Sequence, residues 1–326
     1  MSTSSIAPPP AAAPASGDYA PIRAKAAPRP GTWIAALIVA LLVLALVNFL
    51  LTNPVLDWGT VATYILDVKV VQGVGWTLLL TVLSMVVGTV IALLAAIMRR
   101  SDNPVLRGVA WAYIFVFRGT PVYTQLVFWG LFTVIIPKIV IGVPFGLELL
   151  SFSTRDLFTA FWAAVIGLGL NEGAYLAEIF RSGLNSVDRG QSEASRALGM
   201  SEGLILRRII VPQAMRVIVP PLGNETIGML KTTSLVLAVP FTLDLTFATN
   251  GIANKLFTPI PLLIVAALWY LAITSVLMVG QHHLEKYFGR GFDARTPGAP
   301  GTKRSRQSAV NSAGTTPQNP LPEVEL

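Results

Sequence analysis

Few side chains in this chain can do chemistry, and most of those that can interrupt apolar stretches. There is no cysteine, and the only histidines are the adjacent His282 and His283. A disulfide framework, a cysteine-ligated metal and a thiol nucleophile are therefore excluded. The histidine pair closes an apolar run beside Glu285 and Lys286, in no metal-ligand spacing, and reads as an interfacial position. No Gly-x-x-x-x-Gly-Lys-Ser/Thr phosphate loop, Ser–His–acid set or metallopeptidase motif occurs, so an enzyme reading is poor. What remains is a set of polar groups embedded among apolar ones: Glu172, Tyr175, Glu178, Arg181, Asn224, Glu225, Lys231, Thr232, Thr233 and Ser234. An unpaired charge is expensive in such surroundings, so these groups should face protein or water. Glu172 and Tyr175 stand three apart and can share one helix face. Glu178 and Arg181 have the same spacing, which suits a structural ion pair at a membrane edge. Asn224 and Glu225 can serve an ammonium or a polar side chain, whereas Lys231, Thr232, Thr233 and Ser234 can donate to an anion. Each could equally be a hydrogen bonder between helices.

The elements that must position these groups follow from composition. Of the 326 residues, 53% are hydrophobic and 13% charged, with mean hydropathy +0.64. That is too apolar for a soluble surface. Three windows, Gly31 to Leu56, Val70 to Met98 and Leu256 to Leu284, contain no charge. A helix needs roughly 20 apolar residues to cross a bilayer core, so each window holds a span. Further spans are expected between Val109 and Ile136, broken at Phe117–Pro121, from Phe158 towards Arg181, and within Ile209 to Pro240. Proline denies the preceding turn a donor, hence the break. Pro137 to Arg155 is expected to be a loop. Residues 1–30, rich in proline and alanine, and 291–326 read as disordered tails.

A six-span chain with both termini cytoplasmic agrees with its basic residues. Setting the tails aside, Arg99, Arg100, Arg107 and the six arginines between 181 and 216 lie on the inside. Only Lys69, Lys138, Arg155 and Lys255 lie outside. Lysine and arginine are retained on the cytoplasmic side during insertion, which fixes the orientation. The same rule accounts for the net charge of +7 without invoking nucleic acid, for which no module is present.

The segment 181–208 differs from the spans in being amphipathic and charged. Asp188 is placed to cap a short helix over Glu193 to Leu198, Gly199 ends or bends it, and a second helix begins near Ser201. Small residues at Ala194, Ser195 and Ala197 leave a thin face that another protein can approach closely.

Glu193-Ala194-Ser195, Gly199, Ile209 and Val211-Pro212 resemble, in type and spacing, the coupling loop of bacterial ABC importer permeases, with Ser195 for alanine and Val211 for leucine. Gly190 and Gln191 precede it as in permeases for polar amino acids. The resemblance extends to Gly75-Trp76-Thr77-Leu78, Arg118-Gly119-Thr120-Pro121, Ala174 to Arg181, Pro212 to Arg216, Asn224 and Lys231 to Leu235. At Thr232 the family often has aspartate.

The resemblance implies an all-α, polytopic membrane protein of the type I importer fold. Its five-helix core would lie in 72–285, with coupling loop 181–208 and an additional N-terminal helix in 31–56. It also implies a bacterial cytoplasmic-membrane permease that moves a polar amino acid, delivered by an extracytoplasmic binding protein, alongside a second identical or related permease. Two separate ATP-binding subunits would hold ATP and Mg. ATPase coupling would fall to Gly190, Gln191, Glu193, Ala194, Ser195, Gly199 and Pro212. Arg118, Gly119, Thr120, Pro121, Glu178 and Arg181 form structural motifs. A zwitterionic amino acid needs partners for both ends, and the buried polar set holds candidates for both. The alternative is a stand-alone secondary transporter or channel.

Overall fold

The computed structural model describes residues 30–142 and 148–289. Of the tails expected at 1–30 and 291–326, all but Pro30, which opens the first helix, lie outside these residues. The chain divides into two units, the first ending at Leu56 and the second beginning at Asp57. The first unit contains helix α1 (Pro30–Thr52) and a 3-10 turn, Pro54–Leu56. Apolar side chains stand on every side of α1 and none is buried, the pattern of a helix whose solvent is hydrocarbon.

The second unit begins with α2 (Trp58–Tyr64), α3 (Val68–Arg100), α4 (Pro104–Gly119), α5 (Val122–Gly130) and the single turn α6 (Phe132–Ile135). Strands β1 (Lys138–Gly142) and β2 (Glu148–Ser153) and the turn α7 (Thr154–Leu157) lead to α8 (Ala160–Asn185). After α8 come α9 (Arg189–Ala197), α10 (Glu202–Ile205), a π-helical turn at Leu206–Ile210 and α11 (Val211–Thr232). A 3-10 segment, Thr233–Ala238, then α12 (Leu245–Leu256) and α13 (Pro259–Phe288) complete it.

Four of these helices, α1, α3, α8 and α13, are long and apolar enough to cross a membrane. The expected span at Val109–Ile136 is divided between α4 and α5, because Thr120 and Pro121 leave helical geometry. The expected span at Ile209–Pro240 is α11, a helix of 22 residues that keeps Pro220 and Pro221 inside it and carries Arg216, Glu225 and Lys231. Its charges lower its apolarity while its backbone remains helical. The loop expected at Pro137–Arg155 is corrected: β1 and β2 pair antiparallel, with Ile139 opposite Phe152 and Ile141 opposite Leu150. The β-branched run Ile139-Val140-Ile141 on β1 and the alternation Leu150-Ser151-Phe152-Ser153 on β2 supply the strand signal that a turn-rich composition obscured.

The second unit is held by three apolar clusters. Leu80, Leu126, Leu168, Val236 and Phe241 join α3, α5, α8 and the 3-10 segment. Ala92, Ile114, Leu176, Phe180 and Ile218 join α3, α4, α8 and α11. Val61, Val70, Leu245 and Leu262 join α2, α3, α12 and α13. Helices α3 and α8 pack closely. A Cβ added to Gly169 would stand 2.7 Å from Val87 Cγ1, and one on Gly88 would stand 3.2 Å from both Glu172 Cβ and the Gly169 carbonyl oxygen. Small residues let the backbones meet, and the next turn of α8 carries Glu172.

Candidate functional site

The break between α4 and α5 has a specific chemical consequence. Pro121 has no N–H, so the carbonyl of Phe117, four residues earlier, loses its helical donor. Two side chains replace it: Gln125 Nε2 donates to Phe117 O at 3.0 Å and Asn171 Nδ2 donates to the same oxygen at 3.1 Å. Gln125 Nε2 also lies 2.7 Å from Thr120 Oγ1 and 3.1 Å from Thr120 O, while its Oε1 accepts from Asn171 Nδ2 at 3.1 Å. The broken backbone is thus stitched to α8 by two amides. Neither residue is evident from local sequence as functional. The available signal is an amide four residues after a proline in an apolar run.

Beside this break lies a cavity of about 530 Å³. Arg118, Gly119, Thr120, Pro121 and Val122 form its α4–α5 wall, Asn171, Glu172 and Tyr175 come from α8, and Glu225, Gly228, Met229 and Thr232 from α11. Glu172 is 5% exposed and its Oε1 has no hydrogen-bond partner. Glu225 is half-buried, and the exposed guanidinium of Arg118 stands 5.2 Å from the Tyr175 ring centroid, in cation–π range. Two carboxyl groups, a guanidinium, an amide and the hydroxyls of Thr120, Tyr175 and Thr232 therefore share one cavity.

The residues read from sequence distribute unevenly around it. Glu172, Tyr175, Glu225 and Thr232 line the cavity, joined by Arg118, Gly119, Thr120 and Pro121. Asn224 turns instead towards α13, where its Oδ1 accepts from Gln281 Nε2 at 2.9 Å. Thr233 is buried and donates to Leu230 O at 2.6 Å, and Ser234 donates to Lys231 O at 2.7 Å. Lys231 is exposed and does not line the cavity. Glu178 accepts from Arg181 at 2.6 Å, one turn below Tyr175. Among the described residues, no group of three or more His, Cys, Asp or Glu could hold a metal ion.

The second candidate region is the elbow formed by α9 and α10. Asp188 Oδ1 accepts from Gly190 N at 2.8 Å and caps α9, which begins four residues before the expected Glu193. Gly190, Gln191, Glu193 and Ala194 are exposed, whereas Ser195 is buried and donates to Gln191 O at 2.7 Å. Gly199 has φ of +79°, the left-handed conformation that reverses the chain with least strain when no Cβ is present. Across that reversal Arg196 grips Glu202, Nε to Oε1 at 2.5 Å and a terminal nitrogen to Oε2 at 3.2 Å. The hydrogen bond from Arg196 holds the Glu202 carboxyl below the usual carboxylate range. Exposed Pro212 opens the first turn of α11, where a missing N–H costs least. The elbow presents Glu193 and Leu198, the latter 82% exposed.

Comparison with known proteins meets this geometry. Residues 88–289 match the family model described as binding-protein-dependent transport system inner membrane component. The arginine transport system permease protein ArgU of Corynebacterium glutamicum is 48% identical over 299 residues, covering 92% of this chain and 92% of that protein. The histidine/lysine/arginine/ornithine transport system permease protein HisM of Escherichia coli K12 is 39% identical over 210 residues, covering 63% of this chain and 83% of its own length. Among solved structures, an amino acid ABC transporter with histidines matches with TM-score 0.55 at 35% identity, over 67% of this chain and 94% of that one. An inward-facing methionine ABC transporter, at 19% identity and TM-score 0.50, shares the fold.

Proposed function

This chain belongs to the family of binding-protein-dependent transport system inner membrane components, and on that premise we propose how its cavity and elbow divide the work. It is a permease subunit of an ABC-type amino-acid importer that works with an extracytoplasmic binding protein, not an enzyme. Family membership retires the stand-alone transporter alternative. ATP and Mg belong to two partner ATPase subunits, and a second permease, identical or related, completes the enclosure, since a two-fold axis presents both ATPases with equivalent elbows. α1 is the helix added to a core of five spans within 72–285, and the chain lies in a bacterial cytoplasmic membrane with both termini and the elbow inside.

The cavity serves as the transient site of the amino acid. Arg118 and Thr120 serve its carboxylate, Glu172 and Glu225 its ammonium and a basic side chain. The observation that supports this reading is the buried, unpartnered Oε1 of Glu172 facing an enclosure that also holds a guanidinium. A cation entering there replaces the lost hydration of the carboxylate, which an apolar solute cannot do. Two carboxylates against one arginine favour a basic amino acid, in keeping with the substrates named for the relatives.

The elbow docks on the ATPase. Glu193 accepts hydrogen bonds or pairs with a basic group there, and Gly199 sets the angle of approach. Reconstitution with the cognate binding protein and ATPase tests both assignments. Uptake of arginine, histidine, glutamine, glutamate and leucine should rank the basic amino acids first, and preferential leucine uptake would reject the cavity's role. ATP hydrolysis unaffected by Glu193→Lys would reject that of the elbow.

A further inference from the structure

The ribbon of β1 and β2 stands apart from the three apolar clusters, and two strands alone are marginally stable in water. Its faces differ. Successive side chains of a strand point to opposite sides, so Ile139, Ile141, Leu150 and Phe152 share one face while Val140 and Ser151 share the other. The apolar face is uncovered, with Ile141 and Leu150 each 54% exposed. In the chain α6 immediately precedes it, and Val134 there is 69% exposed. At the base of the ribbon Thr154 N donates to Pro137 O at 3.0 Å. There also Phe132 packs on Trp129 and Phe158, with ring centroids 5.5 and 5.1 Å away. Of the three, Trp129 is of the residue type that concentrates at the level of lipid headgroups.

We infer that the ribbon is a membrane-interface element, lying on the bilayer surface with Ile139, Ile141, Leu150 and Phe152 dipped into the boundary between headgroups and acyl chains. Among the described residues the sheet has two strands, so each has an outer edge whose N–H and C=O groups require headgroup water and bar deeper insertion. Lipid as the occupant accounts for the exposed apolar face and for the exposed Val134 and Ile135 that precede it in the chain, and Lys138 at the start of β1 supplies a cation at headgroup level. The ribbon would anchor the outer end of α5 and the start of α8, the two helices stitched at the cavity by Gln125 and Asn171. This inference does not depend on which amino acid is carried.

The absence of native cysteine permits a direct test. Nitroxide labels are placed on Ile141→Cys, Leu150→Cys and Ser151→Cys in the full importer, reconstituted in nanodiscs with cysteine-free partner subunits. Collisions with oxygen, which favours lipid, are compared with those of a water-soluble nickel chelate. The labels at 141 and 150 should show an oxygen-to-nickel ratio several-fold above that at 151, at a depth of about 5–10 Å below the phosphates. Equal nickel access at all three sites would mean a ribbon free in water. Exclusion of both reagents at 141 and 150 would mean a protein cover, a second permease or the binding protein. Either result overturns the proposal. Should the label at 150 disturb folding, Ile139→Cys reads the same contrast from the same face.

Discussion

The cavity and the elbow use the same two chemistries, a carboxylate and a guanidinium, in opposite settings. In the elbow Arg196 and Glu202 are exposed and already paired, so water shares their charges and the pair does little beyond holding a turn. In the cavity Glu172 is buried and unpaired, while Arg118 rests against the ring of Tyr175 rather than against a carboxylate. A satisfied pair sets geometry. An unsatisfied one is available to a ligand, and the surrounding fold must bear its cost. The supporting structure differs accordingly: local caps and one glycine for the elbow, and long-range amide bonds from α8 for the cavity.

The largest expected effect separates the two regions. Glu172→Gln keeps the shape of the cavity and removes its buried acidic group. Losing a charge-assisted hydrogen bond of about 1.5–3 kcal/mol should lower uptake of a basic amino acid about 10- to 100-fold. Basal ATP hydrolysis and ATPase co-purification should persist. Hydrolysis falling as far as uptake would show that the cavity and the elbow are not separable.

Next comes the scaffold of the cavity. Gln125→Leu strips the Phe117 carbonyl of one donor and leaves an Asn171 N–H without its acceptor, at a cost of about 1–3 kcal/mol. Thermal unfolding of the reconstituted complex should shift downwards, and Gln125→Glu, which retains only an acceptor, should not restore it. A melting curve identical to that of the parent would remove the stitching role.

At the elbow, Gly199→Val forces a β-branched residue into the left-handed region, at about 1–2 kcal/mol of local strain. Nothing stands within 4 Å of where its Cβ would be, so the cost is conformational rather than steric. Membrane abundance should be unchanged while substrate-stimulated hydrolysis falls. Unimpaired stimulation would place the coupling function elsewhere.

The smallest effect is that of pH on the elbow. Glu202 titrates below its unfolded value because of Arg196, so its contribution is complete above that value and disappears as pH falls through the depressed one. Near neutrality Glu202→Gln should therefore lower coupled hydrolysis slightly, by the contribution of the lost pair. The parent alone should lose activity on the acid limb below the ordinary carboxylate range. Identical acid limbs for parent and variant would show that the pair has no part in holding the elbow.

The elbow was more legible in the sequence than the cavity, and interaction range explains why. Asp188 caps a helix two residues on, Gly199 needs no neighbour to reverse the chain, and Glu178 meets Arg181 within one turn. Each of these operates over a few positions, where spacing is sufficient evidence. The charge-free windows predicted α1, α3 and α13 for the same reason, since the length needed to cross hydrocarbon is a local property. The ribbon escaped because its alternation is short and set between turn residues, with its pairing partner about ten positions away.

Sequence alone, then, determined that the chain spans a membrane, that it breaks at Pro121, and that it reverses at Gly199, because backbone chemistry and transfer energies act residue by residue. Tertiary structure alone decided which buried polar groups meet. Glu172 and Glu225 face one enclosure, Asn224 is claimed by Gln281 57 positions away, and the orphaned Phe117 carbonyl finds Asn171 54 positions away. A polar group inside a bilayer must find a partner, and its own position in the chain does not specify which one. That choice belongs to how the helices cross, and small residues such as Gly88, Gly169 and Gly183 set how closely their backbones pack.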